Sequence, residues 1–154
     1  MRLIAIDPGA KTGWALFQDS TLIRCGTVPS SRLHELPDAD ACVVEFPRAR
    51  RRHPRPDDLL KLAAIAAECC ARYSPPVPIA AWVGTVQTQP RPTKVFPETW
   101  KGQLPKDVCW KRVRACLWAQ ELAVVDAPLG MGRFDHNARD AIGIGLWYLG
   151  RFGK

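Results

Sequence analysis

Three carboxylates stand where apolar runs meet polar ones. Leu3-Ile4-Ala5-Ile6 ends in Asp7, and Ala41-Cys42-Val43-Val44 ends in Glu45. Asp140 sits near the start of a stretch whose middle, Ala141 to Trp147, is apolar nearly all round. A carboxylate at the mouth of a core is costly unless a cation sits beside it. Gathered in one place, three of them make an oxygen-rich cluster of the kind that hard divalent ions such as Mg²⁺ prefer. Two such ions roughly 3.5–4 Å apart can activate water and stabilise a leaving 3′-oxygen in an in-line phosphodiester displacement. Asn137 and His136 lie three and four residues before Asp140, so either shares its face one helical turn away. Taken alone, Asp7 before Pro8-Gly9 is also a plain turn-capping acid.

The elements that would position these acids follow from the apolar pattern. Leu3–Ile6 does not alternate with polar residues, so it reads as a strand buried on both faces. Pro8-Gly9 should reverse the chain, proline by presetting φ and glycine by accepting positive φ. Trp14–Phe17 and Thr21–Thr27 continue an antiparallel meander. Ser30 to Leu36 reads as a short helix with a serine cap, closed by Pro37. Ala41–Phe46 is a fourth strand and Lys94–Phe96 a short fifth. If strands one and four are parallel neighbours, Asp7 and Glu45 emerge at one edge of the sheet, where sites in α/β proteins gather. Helices are expected from Asp57 to about Tyr73, Asp107 to about Ala119, and Asp135 to Phe152. Gly143 and Gly145 in the last helix predict close packing against the sheet or a partner. Ile79 to Val86 fits strand or helix, and Pro97 to Lys106 reads as a turn-rich connection.

Composition narrows the partners. A net charge of +7 points to a polyanion, and its clustering favours nucleic acid over mere solubility. Pro47 to Pro56 packs five arginines and a histidine among prolines, a pattern that fits neither a core helix nor a central strand. Of the six cysteines none forms a Cys-x-x-Cys pair and none is spaced with histidine as for zinc, so a structural zinc site is not expected. No stretch is apolar for long enough to span a bilayer, and no leader is read before the first strand. The expectation is a reduced, soluble, cytoplasmic protein of one domain over residues 1–154.

Ile4-Ala5-Ile6-Asp7-Pro8-Gly9 with Thr12-Gly13-Trp14-Ala15, then Val43-Val44-Glu45, then Asn137-Ala138-Arg139-Asp140-Ala141, resembles the RuvC-type Holliday-junction resolvases. The linker Pro97 to Lys106 is similar to that of the small bacteriophage versions. The resemblance implies an α/β RNase H-like fold, with a mixed five-stranded sheet of an antiparallel meander plus parallel strands, flanked by helices. It also implies a homodimer in a bacterial or phage-infected cytoplasm, nicking four-way DNA junctions with two Mg²⁺ or Mn²⁺ ions per site. Asp7, Glu45 and Asp140 match the family's acids. Asn137 stands where the family usually has Asp or His, which leaves Asn137, His136 and Asp135 as candidates for the fourth ligand. Arg48, Arg50, Arg51 and Arg52 are the expected DNA contacts, with Lys101 and Lys106 behind them. Phe46 reads as a buried strand-end aromatic rather than a stacking residue. Competing readings are an RNase H-like nuclease of broader branched-DNA or RNA specificity and a DNA-structure-binding protein without catalysis. An actin-like or sugar-kinase ATPase shares the opening motif but needs two such domains.

Overall fold

The computed structural model describes residues 1–48, 56–74, 92–127 and 136–153. Five strands, β1 (Arg2–Asp7), β2 (Lys11–Gln18), β3 (Thr21–Pro29), β4 (Ala41–Glu45) and β5 (Thr93–Val95), form one sheet in the order β3-β2-β1-β4-β5. The first three make the expected antiparallel meander, while β4 lies parallel to β1 and β5 parallel to β4. Helices α1 (Pro56–Arg72), α2 (Pro97–Trp100), α3 (Lys106–Ala115), α4 (Ala119–Asp126) and α5 (His136–Tyr148) accompany it.

Strand alternation divides the core into two. Leu3, Ala5, Ala15, Phe17 and Val43 pack with α3, α4 and α5 on one face of the sheet. Ile4, Ile6, Trp14, Leu16, Cys42 and Val44 pack on the other against Ala66 and Cys69 of α1 and against Leu33 and Leu36. The continuous apolar runs of β1 and β4 are thus explained, because both of their faces are covered. Gly143 and Gly145 do serve close packing: a Cβ would meet the Trp100 ring at 2.5 Å from the first and Phe17 at 2.1 Å from the second. All six cysteines are free thiols. No helix among the described residues is long and apolar enough to cross a membrane.

Several expectations change. Ser30–Glu35 is a 3-10 turn rather than a serine-capped helix; Pro29 holds the cap position, with no side-chain hydrogen bond. Gly9 is not among the glycines with positive φ. The reversal after Asp7 is closed instead by the Thr12 hydroxyl, which donates to the Gly9 carbonyl at 3.1 Å. The helix expected to reach Ala119 stops at Ala115, and α4 follows as a separate helix. Trp118 is extended there, and its backbone N–H donates to Glu121 Oε2 at 2.8 Å, which starts the new helix. The connection after β5 contains α2, with Pro97 at its first position, where a missing N–H costs nothing. Ile79 to Val86, Asp135 and the arginines Arg50, Arg51 and Arg52 lie outside the described residues.

Candidate active site

The register of the sheet brings the first two acids together. β1 and β4 pair from Leu3↔Ala41 to Ile6↔Val44, and the same offset continued sets Asp7 beside Glu45. Both follow Ala5 and Val43 by two residues, so alternation turns both toward the α5 side of the sheet. There α5 lies against β1 and β2, and Gly13 of β2 lets it come close: a Cβ on Gly13 would sit 2.1 Å from the Asn137 backbone. That approach sets the height of Asp140, one turn further along.

The ammonium group of Lys101 sits between two of the acids. Lys101 Nζ lies 3.0 Å from Asp140 Oδ2 and 3.9 Å from Glu45 Oε2. Its neighbour Trp100 donates its indole N–H to Glu45 Oε2 at 2.6 Å. Trp100 is itself buried against Gly143 of α5, so the short helix α2 is locked to the element that carries Asp140. Burial first, then the charges of Glu45 and Asp140, push the Asp7 carboxyl well above its ordinary value, and Lys101 and Lys106 only partly oppose this. Burial raises Glu45 as well, held back by Lys101 and the Trp100 hydrogen bond. For Lys101 burial works toward a lower pKa, but Glu45 and Asp140 more than offset it and the ammonium is held charged.

The remaining candidates occupy varied places. The Asn137 amide nitrogen donates to the Lys11 carbonyl, tying the start of α5 to the β1–β2 hairpin. An amide ligates a cation through its oxygen, so that bond leaves the ligand chemistry of Asn137 intact. His136 is exposed at the first residue of α5. Arg48 pairs with Glu98 at 3.2 Å and lies over the Phe96 ring. Lys106 opens α3 near enough to lower the proton affinity of Asp7. Trp100 is the residue that sequence reasoning passed over. Pro97-Glu98 is a helix-start signal, and a one-turn helix from there ends on Trp100-Lys101.

Among the described residues no three His, Cys, Asp or Glu side chains are drawn tightly enough to cage an ion as they stand. The donor chemistry nevertheless fits a hard divalent cation. Three carboxylates from three elements face one another, and the charge that now balances two of them is the ammonium of Lys101.

Comparison with known proteins bears on the fold. No family model matches the chain, and no curated protein matches it in sequence. Solved structures do match: Thermus thermophilus RuvC in complex with a Holliday junction substrate aligns with a TM-score of 0.54 at 16% identity, over 95% of this chain and 90% of that one. The fold is RuvC-like. A second Thermus thermophilus RuvC structure gives a TM-score of 0.52 at 16% identity, over 99% of this chain and 98% of that one. The mixed five-stranded sheet with its helices is therefore the RNase H-like architecture expected from the sequence. At this identity the likeness is one of fold, and the chemistry has to be argued from the residues.

Proposed function

We propose that this chain is a structure-specific endodeoxyribonuclease that resolves four-way DNA junctions as a homodimer, each copy nicking one of two opposing strands. One observation carries the reading: Asp7, Glu45 and Asp140 converge from two parallel strands and a packed helix, with the Lys101 ammonium between the last two. The RuvC-like fold supports it, since one such neighbour is a complex with a Holliday junction substrate. We read residues 1–154 as one nuclease domain, and group it with the small bacteriophage versions because its Pro97–Lys106 linker resembles theirs.

Asp7, Glu45 and Asp140, with the Asn137 oxygen or His136 as a fourth ligand, would hold Mg²⁺ or Mn²⁺. A divalent cation bound there supplies Lewis-acid stabilisation of the charge that builds on the phosphate during hydrolysis. The chain's own residues do the positioning. Trp100 fixes the Glu45 carboxylate by its indole N–H, and α2 ties that bond to α5. Lys101 keeps Glu45 and Asp140 from repelling each other, and its ammonium is placed to meet a phosphate oxygen once those acids are otherwise neutralised. Arg48 and Lys106, with Arg50, Arg51 and Arg52, hold the sugar–phosphate backbone.

The test is a labelled four-way junction and its matching linear duplex, incubated with the protein in EDTA, Mg²⁺ or Mn²⁺, with Asp7→Asn alongside. Paired, metal-dependent nicks in the junction are expected, with Asp7→Asn cutting about 100-fold less or worse, since outer-shell losses alone cost about 10–100-fold. Equal cutting of flaps, forks or RNA hybrids would replace the reading with that of a broader nuclease. Junction binding without cutting in either metal would replace it with a binding protein.

A further inference from the structure

Trp100 does more than fill the core. A phenylalanine ring could pack on Gly143 and on Phe152, whose ring centroid lies 6.3 Å away. What only the indole supplies is a donor. In a residue just 3% exposed, its N–H meets Glu45 Oε2 at 2.6 Å. The Lys101 ammonium lies 3.9 Å from the same oxygen and 4.7 Å from the Trp100 ring centroid. One buried indole therefore holds a carboxylate oxygen and its counter-ion together. It is not free to swing aside, because it closes the one-turn helix α2 and packs on α5.

We infer that Trp100 is a positioning residue that makes the carboxylate cluster favour Mg²⁺ over Ca²⁺, by holding Glu45 to ligation through one oxygen. The inference rests on the nuclease reading and adds ion selectivity to it. A carboxylate grips an ion with both oxygens only when both are turned to it. That turn would take Oε2 off the indole and forfeit a buried hydrogen bond to a charged group, which is among the stronger kinds. Ca²⁺ is the ion that profits from a two-oxygen grip, because it gathers roughly six to eight oxygens in a flexible shell. Mg²⁺ demands a near-ideal octahedron and keeps several waters, so one oxygen from Glu45 suffices. Rigidity acts in the same direction, since α2 ties the Glu45 carboxylate to the helix that carries Asp140. Ligand number and flexibility decide between these two ions, and Trp100 restricts both.

The experiment measures ion binding to the full-length protein without DNA. Bound Mn²⁺ is counted by electron paramagnetic resonance, and Mg²⁺ or Ca²⁺ is then titrated in to displace it. Wild type and Asp7→Asn run beside two proteins that lack the donor. One is Trp100→Phe; in the other, Trp100 is replaced through stop-codon suppression by benzothienylalanine, which copies the indole outline with sulfur in place of the N–H. The second keeps the test decisive if Trp100→Phe folds poorly, as melting temperatures in EDTA would show. Without the donor, Mg²⁺ should bind about ten-fold more weakly, as expected when a ligand loses its outer partner. Ca²⁺ should bind no more weakly than to the wild type, so the preference for Mg²⁺ falls about ten-fold. A preference left at the wild-type value, whether both affinities fall together or neither moves, would overturn the inference and leave the nuclease reading standing. A wild type that binds no divalent ion, or one that Asp7→Asn binds equally well, would overturn both.

Discussion

Asp7 is nine-tenths buried beside two further carboxylates, so its ionised form is disfavoured in the folded chain. Its folded pKa stands above the ordinary 3.8, so as pH rises the unfolded chain gives up this proton before the folded one does. Stability from this group is therefore greatest below pH 3.8 and falls as pH rises through the raised folded value. Asp7→Asn removes that loss. In EDTA at pH 8 the variant should melt above the wild type, and near pH 3.8 the two should converge. Mg²⁺ should then raise the melting temperature of the wild type by mass action and that of Asp7→Asn far less. Lys101→Met should do the reverse of Asp7→Asn in EDTA, because it leaves Glu45 and Asp140 facing each other without their counter-ion. Thermal melts of the three proteins at the two pH values, with and without metal, check both signs. A wild type more stable than Asp7→Asn at pH 8 without metal would show that Asp7 is compensated by a partner other than Lys101 and Lys106.

At the scale of elements, the centre depends on how closely α5 approaches β2. Gly13→Ala would put a methyl group into the Asn137 backbone, so α5 has to shift, taking Asp140 with it. Overpacking of this kind costs about 1–3 kcal/mol, and a displacement near 1 Å can cost about 100-fold in rate. Melting temperature and single-turnover cutting measured on the same preparation test both figures. A second clamp lies far from the acids. Glu121 is fully buried and accepts hydrogen bonds from Arg151, at 2.7 and 2.6 Å, and from the backbone N–H groups of Leu22 and Trp118. Burial opposes its ionisation, but these donors prevail and hold its pKa below the ordinary 4.5. The stability it contributes is present above pH 4.5 and is lost as pH falls through the lower folded value. Arg151→Ala should cost about 3–5 kcal/mol at pH 7, because it leaves a buried carboxylate unpaired, and less in acid, as urea melts would show. Much of this framework was legible in sequence. Apolar runs that stop at Asp7 and Glu45 announce buried strands with an acid at one edge, and the apolar middle of α5 announces a packed helix. α4 was not legible, because its cap position holds Trp118 instead of a Ser, Thr, Asp or Asn, and the helix starts on the bond from the Trp118 backbone N–H to Glu121. The place of Lys101 was hidden for a different reason: a lysine in a polar linker looks solvated until Glu45 and Asp140 are brought to it.

Across the whole molecule the charges divide by place. The candidate centre is acidic, whereas the chain as a whole carries +7, so the net charge attracts a DNA backbone while the point where it would be cut repels it. Lys101 softens that contradiction from inside, and a divalent cation would remove it. Binding in EDTA should consequently be strongly salt-dependent, with each lost phosphate contact reducing the slope of log K against log salt by about 0.9. Arg48→Gln should lower the slope by about that amount, and it should weaken junction and duplex alike, since a phosphate contact carries no information about branching. Asp7→Asn should leave the slope near the wild-type value and tighten binding, because one negative charge near the phosphates is gone. Fluorescence titrations of both DNAs at several salt concentrations separate these outcomes. A slope untouched by Arg48→Gln would mean that its guanidinium stays with Glu98 and Phe96 in the complex, and the backbone contacts would then fall to Lys106 and to the arginine run that follows Arg48.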